Sequence, residues 1–296
     1  MIKVSDMVRI EGLDEKKSKS IYELSKNKYV KDFLKKNNLP EKCLNDYWIE
    51  FLDYSEDKKC CENCMGLEYC PKENIGMIKD LIKQDDINLV MSNCHFYSSS
   101  QEIINKFKLK NVKDEILLTD LEQWVITKKI ENGHLTELEQ FAYIEIMKYI
   151  KDPKDYGLFI HSENYKSDKT LLMAAMMNSL AKKGNDIAFI HFPTYLVDLK
   201  ASFQNEKSID WTELMDIPYL VLDGIGEENV TPYSRDEILL TILSYRLLNR
   251  LPTFFTSFYG FKDLHKVYTI KKGDEIKAKT LILKMKALCK EITLDE

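Results

Sequence analysis

Between Ser20 and Tyr54 the apolar residues recur every three or four positions: Ile21, Leu24, Tyr29, Phe33 and Leu34, then Leu44, Trp48, Phe51 and Leu52. That period puts them on one face of a helix, and the polar break Asn37 to Pro40 divides the run into two amphipathic helices. Ile87-Asn88-Leu89-Val90-Met91 then predicts a short strand. Residues 98–114 are polar, rich in Ser and Lys and weakly periodic, and predict a linker. The expected division therefore falls near residue 115, giving units 1–114 and 115–296.

The second unit alternates. Glu137 to Ile150 predicts a helix that stops before Asp152-Pro153. Strands are predicted at Gly157 to His161, Ile187 to Phe192, Tyr219 to Asp223 and Thr253 to Ser257, with helices at Thr170 to Lys183, Thr194 to Phe203 and Arg235 to Asn249 between them. Short apolar strands alternating with helices imply an α/β fold with a mostly parallel sheet covered on both faces.

Composition narrows the function classes. A length of 296 residues supports two units with real cores, and a net charge of -5 gives no global basic surface for nucleic acid. Contact with DNA would have to come from a local patch. Met1 to Ser20 mixes charges without an apolar core, and no apolar stretch approaches the roughly 20 residues that span a bilayer, so a cytoplasmic protein without a membrane anchor is expected. Of seven cysteines, Cys60, Cys61, Cys64 and Cys70 crowd together, which favours metal over a disulfide framework in such a chain. Cys61-x2-Cys64-x5-Cys70 offers three thiolates for a tetrahedral zinc site. Cys94 is the first choice as fourth ligand, with His95 as the alternative, and Cys60 could replace Cys61.

The strand Gly157 to His161 runs through a loop into Lys169-Thr170 and an apolar helix. This is the layout of a phosphate-binding loop, in which backbone N–H groups and a helix N-terminus hold phosphate and lysine meets the outer oxygens. The glycines are missing: Glu163 stands at the first glycine position and Asp168 at the last, and no glycine lies between Gly157 and Gly184. Glycine there permits positive φ and close approach, whereas a carboxylate beside a polyanion opposes binding. Ser167 or Asp168 could equally be an ordinary helix N-cap. Pro218 to Asp223 is an apolar strand ending in a carboxylate, suited to holding Mg²⁺ through water, and Gly224 follows where a second acid often stands.

Several segments carry a resemblance: Phe192 to Lys200, Leu222-Asp223-Gly224-Ile225-Gly226-Glu227-Glu228, Arg235-Asp236-Glu237-Ile238, Tyr245-Arg246 and Leu251 to Ser257. Together they resemble the AAA+ core of the DnaI/DnaC helicase loaders. The resemblance runs without obvious gaps from about Tyr219 to Ser257 and more loosely from Gly157 to Leu294. It implies a primosomal protein of DNA replication: an AAA+ P-loop-type unit at 115–296 without a separate lid, preceded by a small helical zinc-binding unit that grips the replicative helicase. The same Cys-x2-Cys-x5-Cys is found in loaders of the Gram-positive type, although their usual histidine ligand has no counterpart here.

Lys169, Thr170, Asp223 and Arg235 are the residues it implies for ATP and magnesium, with Arg235 reaching a neighbouring subunit in an oligomer on the helicase, although an arginine at a helix start is more often merely solvated. It also implies single-stranded DNA contact at the helix after Pro193, where Lys200, Phe203 and Lys207 lie with Tyr195 nearby, although the aromatics read more simply as core of an amphipathic helix with Leu196, Leu199 and Phe203 inward. Departures are equally specific. Phe258 replaces the sensor asparagine, and Thr280 and Lys284 replace an arginine pair. With the altered loop and Gly224, these imply that hydrolysis is lost and nucleotide binding weakened; the alternatives are a slow AAA+ ATPase that still binds and hydrolyses ATP through Lys169 and Asp223, and a regulator or decoy that occupies the helicase without loading it.

Overall fold

The structure, a computed structural model, describes residues 13–202 and 209–295. Phe203 and Lys207, two of the expected DNA-contact residues, lie outside the described residues. The chain divides into two compact units between Gln101 and Glu102 rather than near residue 115.

The first unit packs helices α1 (Leu13–Lys26), α2 (Lys28–Lys36) and α3 (Trp48–Cys61) with an antiparallel hairpin, β1 (Met77–Lys83) and β2 (Ile87–Asn93). Helix α2 starts where the Asn27 side chain accepts from the N–H groups of Tyr29 and Val30 at 2.9 and 3.3 Å. Val30, Phe33 and Leu34, at i, i+3 and i+4, then bury against Leu24, Leu44, Phe51 and Tyr54, with Leu81 and Ile87 contributed by the hairpin. The strand at Ile87 is as its alternation predicts; its partner β1 makes this unit mixed rather than helical.

The expected linker at 98–114 is not a linker. Helix α4 (His95–Ile104) occupies its first part and strand β3 (Phe107–Lys110) follows, hydrogen-bonded parallel to β5 (Ile187–His191). Phe107 is buried and Leu109 partly so, but an edge strand of four residues leaves too short an alternation to read. Asn111 extends the pairing with its side chain, donating to the His191 carbonyl at 3.0 Å and accepting from the His191 N–H at 2.7 Å.

The remaining strands are β4 (Gly157–His161), β6 (Tyr219–Asp223), β7 (Thr253–Ser257) and β8 (Cys289–Thr293), and the order across the parallel sheet is β3-β5-β6-β7-β4-β8. This is the mostly parallel α/β fold expected for the AAA+-type unit. Helices α5 (Asp114–Leu117), α6 (Leu121–Asn132), α7 (Glu137–Lys151) and α8 (Lys169–Lys182) build one core with the sheet. The opposite core takes α9 (Phe192–Ser202), α10 (Glu213–Asp216), α11 (Leu240–Leu248), α12 (Phe261–Val267) and α13 (Glu275–Leu288).

Register brings the carboxyl ends of the strands together: His191 faces Asp223, and His161 faces both Ser257 and Thr293. Gly157 lets β4 close on β7, since a Cβ there would lie 2.1 Å from the Thr253 carbonyl oxygen. Among the described residues no helix is long and apolar enough to cross a membrane.

Candidate functional site

The carboxyl edge of an open parallel sheet is where ligands of α/β proteins bind, and β4, β6 and β7 deliver their last residues there. Between β4 and α8 the loop 162–168 turns on a left-handed residue: Asp168 has φ 53° and ψ 19°. The last glycine position thus keeps the glycine conformation without the glycine. Asp168 makes no side-chain capping bond, which disposes of the ordinary N-cap alternative at that residue. Its carboxylate goes instead to the buried Lys128, at 2.7 Å, whose ammonium also lies 3.4 Å from Glu139. Burial opposes the charge on Lys128, but the bonds to Asp168 and Glu139 hold its pKa above the ordinary lysine value. The carboxylate expected to repel phosphate therefore has its own counter-ion.

Thr170 and Asp223 meet: the Thr170 hydroxyl donates to the Asp223 carboxylate at 2.7 Å, and Thr256 donates to the same oxygen at 2.5 Å. Asp223 is almost fully buried. Gly224 follows at φ 75°, and a Cβ would sit 3.2 Å from His191 Nε2, so backbone shape and a close neighbour both favour glycine at this position. Ser167 has a buried hydroxyl without a hydrogen-bond partner among the described residues.

The surroundings differ from a phosphate site in two ways. Phe258, at the sensor position, stacks on Tyr165 of the loop with ring centroids 4.5 Å apart, and the Lys169 ammonium lies 5.8 Å from the Phe258 ring centroid. At the start of the loop the Asp295 carboxylate accepts from the Glu163 N–H at 2.8 Å and from the Ser162 hydroxyl at 2.5 Å. The group that would face an incoming anion there is negative. Lys169, Thr170 and Asp223 lie together at this edge, and their chemistry, an ammonium, a hydroxyl and a carboxylate, suits phosphate and magnesium. Thr280 is exposed and bonds its own helix through the Ile276 carbonyl at 2.9 Å.

Arg235 does not reach outward to a nucleotide or a neighbour: it is 1% exposed inside its own unit. Its guanidinium forks onto Asp236 at 2.6 and 2.9 Å and bonds the Tyr268 carbonyl at 2.8 Å and Asp274 at 3.2 Å. That bond from Arg235 draws the Asp236 carboxyl down to about 2. The segment that carries it, Tyr233–Leu239, is wound as a π-helix ahead of α11.

Arg246 is equally buried, with six bonds to the Thr253 hydroxyl and to the carbonyls of Leu214, Met215, Ile217, Pro218 and Pro252. Glu228 completes the pattern: it takes hydrogen bonds from Tyr268 and the Gly226 N–H, both at 2.7 Å, and burial raises its pKa. These parts of the family-like segments hold the fold rather than a ligand.

On α9, Tyr195 and Leu199 face the core and Lys200 is exposed. Stacking of DNA bases on Tyr195 is therefore ruled out, leaving Lys200 as the described basic residue of that expected patch.

In the first unit Cys61 ends α3, Cys64 lies in the next turn with its N–H on the Cys61 carbonyl at 3.3 Å, and Cys70 follows the turn Leu67–Tyr69. Cys94 follows β2, its N–H bonded to the Gly76 carbonyl at 2.7 Å. Asp57, one turn before Cys61, accepts from Lys72 at 2.7 Å and from the Lys79 N–H at 3.0 Å. These bonds bring the cysteine-bearing segments to the end of the hairpin where Met77 pairs with Asn93. The donors suit zinc in chemistry, yet among the described residues no three His, Cys, Asp or Glu side chains gather as a metal-holding group. His95, the alternative ligand, begins α4 with its ring 5.2 Å from Phe96.

No family model matches the chain. A match over nearly its whole length is to the replicative helicase loader DnaI of Bacillus subtilis (strain 168): 25% identity over 297 residues, 97% of this chain and 92% of the relative. The chain is similar to the DnaI-type helicase loaders. Solved structures agree with the DnaI likeness. A putative primosome component from Streptococcus pyogenes serotype M3 superposes with a TM-score of 0.53 and 27% identity, over 65% of this chain and 94% of that one. The crystal structure of DnaI gives a TM-score of 0.53 and 25% identity over 62% and 94% of the two chains.

Lys128, Glu139, Tyr165 and Asp295 are site neighbours that the residue pattern did not single out. Two had a signal. Lys128 lies on the apolar stripe of α6 with Leu121 and Trp124, where a lysine needs a partner. Thr136-Glu137-Leu138-Glu139 is a capping-box sequence, and the box is formed.

Proposed function

We propose that the chain is a replicative-helicase loader, or a loader-like adaptor, acting in the initiation of DNA replication. The observation that carries the reading is the extent of the likeness to DnaI, which takes in 97% of the chain and so includes both units. In this reading the first unit grips the replicative helicase, with zinc held by Cys61, Cys64, Cys70 and Cys94 securing its cysteine-bearing end. The second unit sits against helicase or DNA. Binding one conformation of the helicase better than another shifts the ring towards the form that can be loaded. A fragment of residues 1–106, which keeps α4 whole, is expected to be retained on immobilised host helicase. Retention of only the remainder of the chain would reverse the roles of the units.

The nucleotide site is, in the same reading, a binding remnant without turnover. Lys169, Thr170 and Asp223 would hold a Mg-nucleotide, and the left-handed Asp168 with its charge on Lys128 favours that much. Against tight binding stand the Asp295 carboxylate on the Glu163 N–H and the aromatic pair Tyr165–Phe258 beside Lys169. Each charge-assisted bond forgone costs about 1.5–3 kcal/mol, so the loss of one or two weakens binding about tenfold to a thousandfold or more. Phe258 stands in place of a sensor asparagine, and Arg235 is too buried to act in trans. ADP release should stay at background, millimolar Mg-ATP should stabilise the protein only slightly, and Lys169→Ala should leave helicase binding nearly unchanged. Turnover above background, or micromolar Lys169-dependent binding, overturns this part.

A further inference from the structure

We infer that Lys128 holds the phosphate-type loop in its wound form through Asp168, so that an ion pair from α6 does what the last glycine of such a loop does by conformational freedom. Three observations carry this. Asp168 stands at φ 53°, a left-handed conformation that aspartate visits more readily than most residues but at a steric cost that glycine does not bear, so a side-chain anchor helps to hold it there. Its side chain spends none of its bonding capacity on the helix it precedes, and its recorded ion pair is with the Lys128 ammonium at 2.7 Å. Lys128 itself cannot move away, because it is 6% exposed on the apolar side of α6 beside Leu121 and Trp124.

The lysine is also held from its other side. Glu139, 3.4 Å from the same ammonium, is fixed by the capping box of α7: its carboxylate accepts from the Thr136 N–H at 2.9 Å and its own N–H donates to the Thr136 hydroxyl at 3.2 Å. A buried ammonium between two carboxylates is costly to unpair, so the loop end at Asp168 is anchored to a rigid helix pair. The direct consequence is position: Lys169 and Thr170 follow at once, and Thr170 reaches Asp223 at 2.7 Å. Lys128 is a positioning residue, and this role stands whether or not nucleotide binds.

Hydrogen–deuterium exchange of the full-length protein tests it. Lys128→Met should speed exchange of the amides in 163–171 by about tenfold or more while leaving α13 at its wild-type rate, and Lys128→Arg should stay close to wild type. Asp168→Gly should keep the loop protected, because glycine takes the same conformation unaided, and Lys128→Met added to it should no longer affect the loop. Wild-type exchange at 163–171 in Lys128→Met, or an equal acceleration by Lys128→Met in the wild-type and Asp168→Gly backgrounds, overturns the inference. Should Lys128→Met fail to fold, Asp168→Asn decides: it removes the charge but keeps the shape, so its loop should exchange faster than that of Asp168→Gly, and equal rates in the two overturn the inference.

Discussion

Arg246→Met should lower the thermal midpoint of the second unit by roughly 10 °C, from a loss of about 3–5 kcal/mol. The side chain is fully buried, and its guanidinium gathers the Leu214, Met215 and Ile217 carbonyls ahead of β6, the Pro218 and Pro252 carbonyls, and the Thr253 hydroxyl at the start of β7. Methionine of similar length would fill the space but leave those acceptors in a dry interior without a donor, which is the costly half of a lost hydrogen bond. Burial draws the guanidinium pKa down to about 9, so the group stays charged at neutral pH and its five carbonyl bonds are charge-assisted. Differential scanning calorimetry of the full chain reads the effect, with Lys279→Met, at an exposed position, as the control that should change little. A shift no larger than that control would mean that the carbonyl cage does not hold the approach to β6 and β7.

Metal removal has the largest effect expected for the first unit. The proposed zinc would be bound by Cys61, Cys64, Cys70 and Cys94, whose segments meet at one end of a small unit with a correspondingly small core. A structural zinc contributes about 10–16 kcal/mol of apparent binding free energy in small domains, far more than such a core supplies by itself. Protein purified without chelator should carry about one zinc per chain. Chelation should melt the hairpin and α3 while the second unit keeps its own transition. Cys64→Ser should remove the metal and leave the parallel sheet intact. Metal analysis that finds no zinc in protein prepared in this way contradicts the ligand assignment and leaves the cysteines as reduced structural thiols.

What could be read from the residues, and what could not, divides along physical lines. Strands β4, β5, β6 and β7 are buried on both faces, so their continuous apolar runs stand out, and three of the four have the bounds their runs predict, with β5 one residue shorter. The edge strand β3 has only four residues and β8 carries charges, as in Cys289-Lys290-Glu291-Ile292-Thr293, and neither left such a trace. Residues 98–114 illustrate the cost: the stretch is polar enough to read as a linker, yet Phe107 and Asn111 tie it to the sheet.

At the site, the order of elements and the residues Lys169, Thr170 and Asp223 were legible, and the Thr170–Asp223 bond joins two of them. The fate of Asp168 was not, because its counter-ion comes from Lys128, 40 residues away in the chain and linked to it only by tertiary packing. Arg235 shows the opposite error. An arginine at a helix start reads as solvated or as reaching outward, and only the fold reveals that Asp236, Asp274 and the Tyr268 carbonyl enclose it.

These placements also give the family-like segments a role in the fold itself. Gly226, Glu228, Arg235 and Arg246 are bound up in hydrogen bonds, ion pairs and backbone turns that the fold needs whatever happens to nucleotide. Phe258 stacks on Tyr165 of the loop, and Asp295 bonds Ser162 and Glu163 at its start.

The loader reading itself rests on recognition of the replicative helicase, and that interaction can be measured directly. Full-length protein mixed with the replicative helicase of its host should co-elute with it as a stable complex in size-exclusion chromatography with light scattering, with or without Mg-ATP. Elution of the two as separate species, under conditions in which the helicase is an intact ring, would contradict the account.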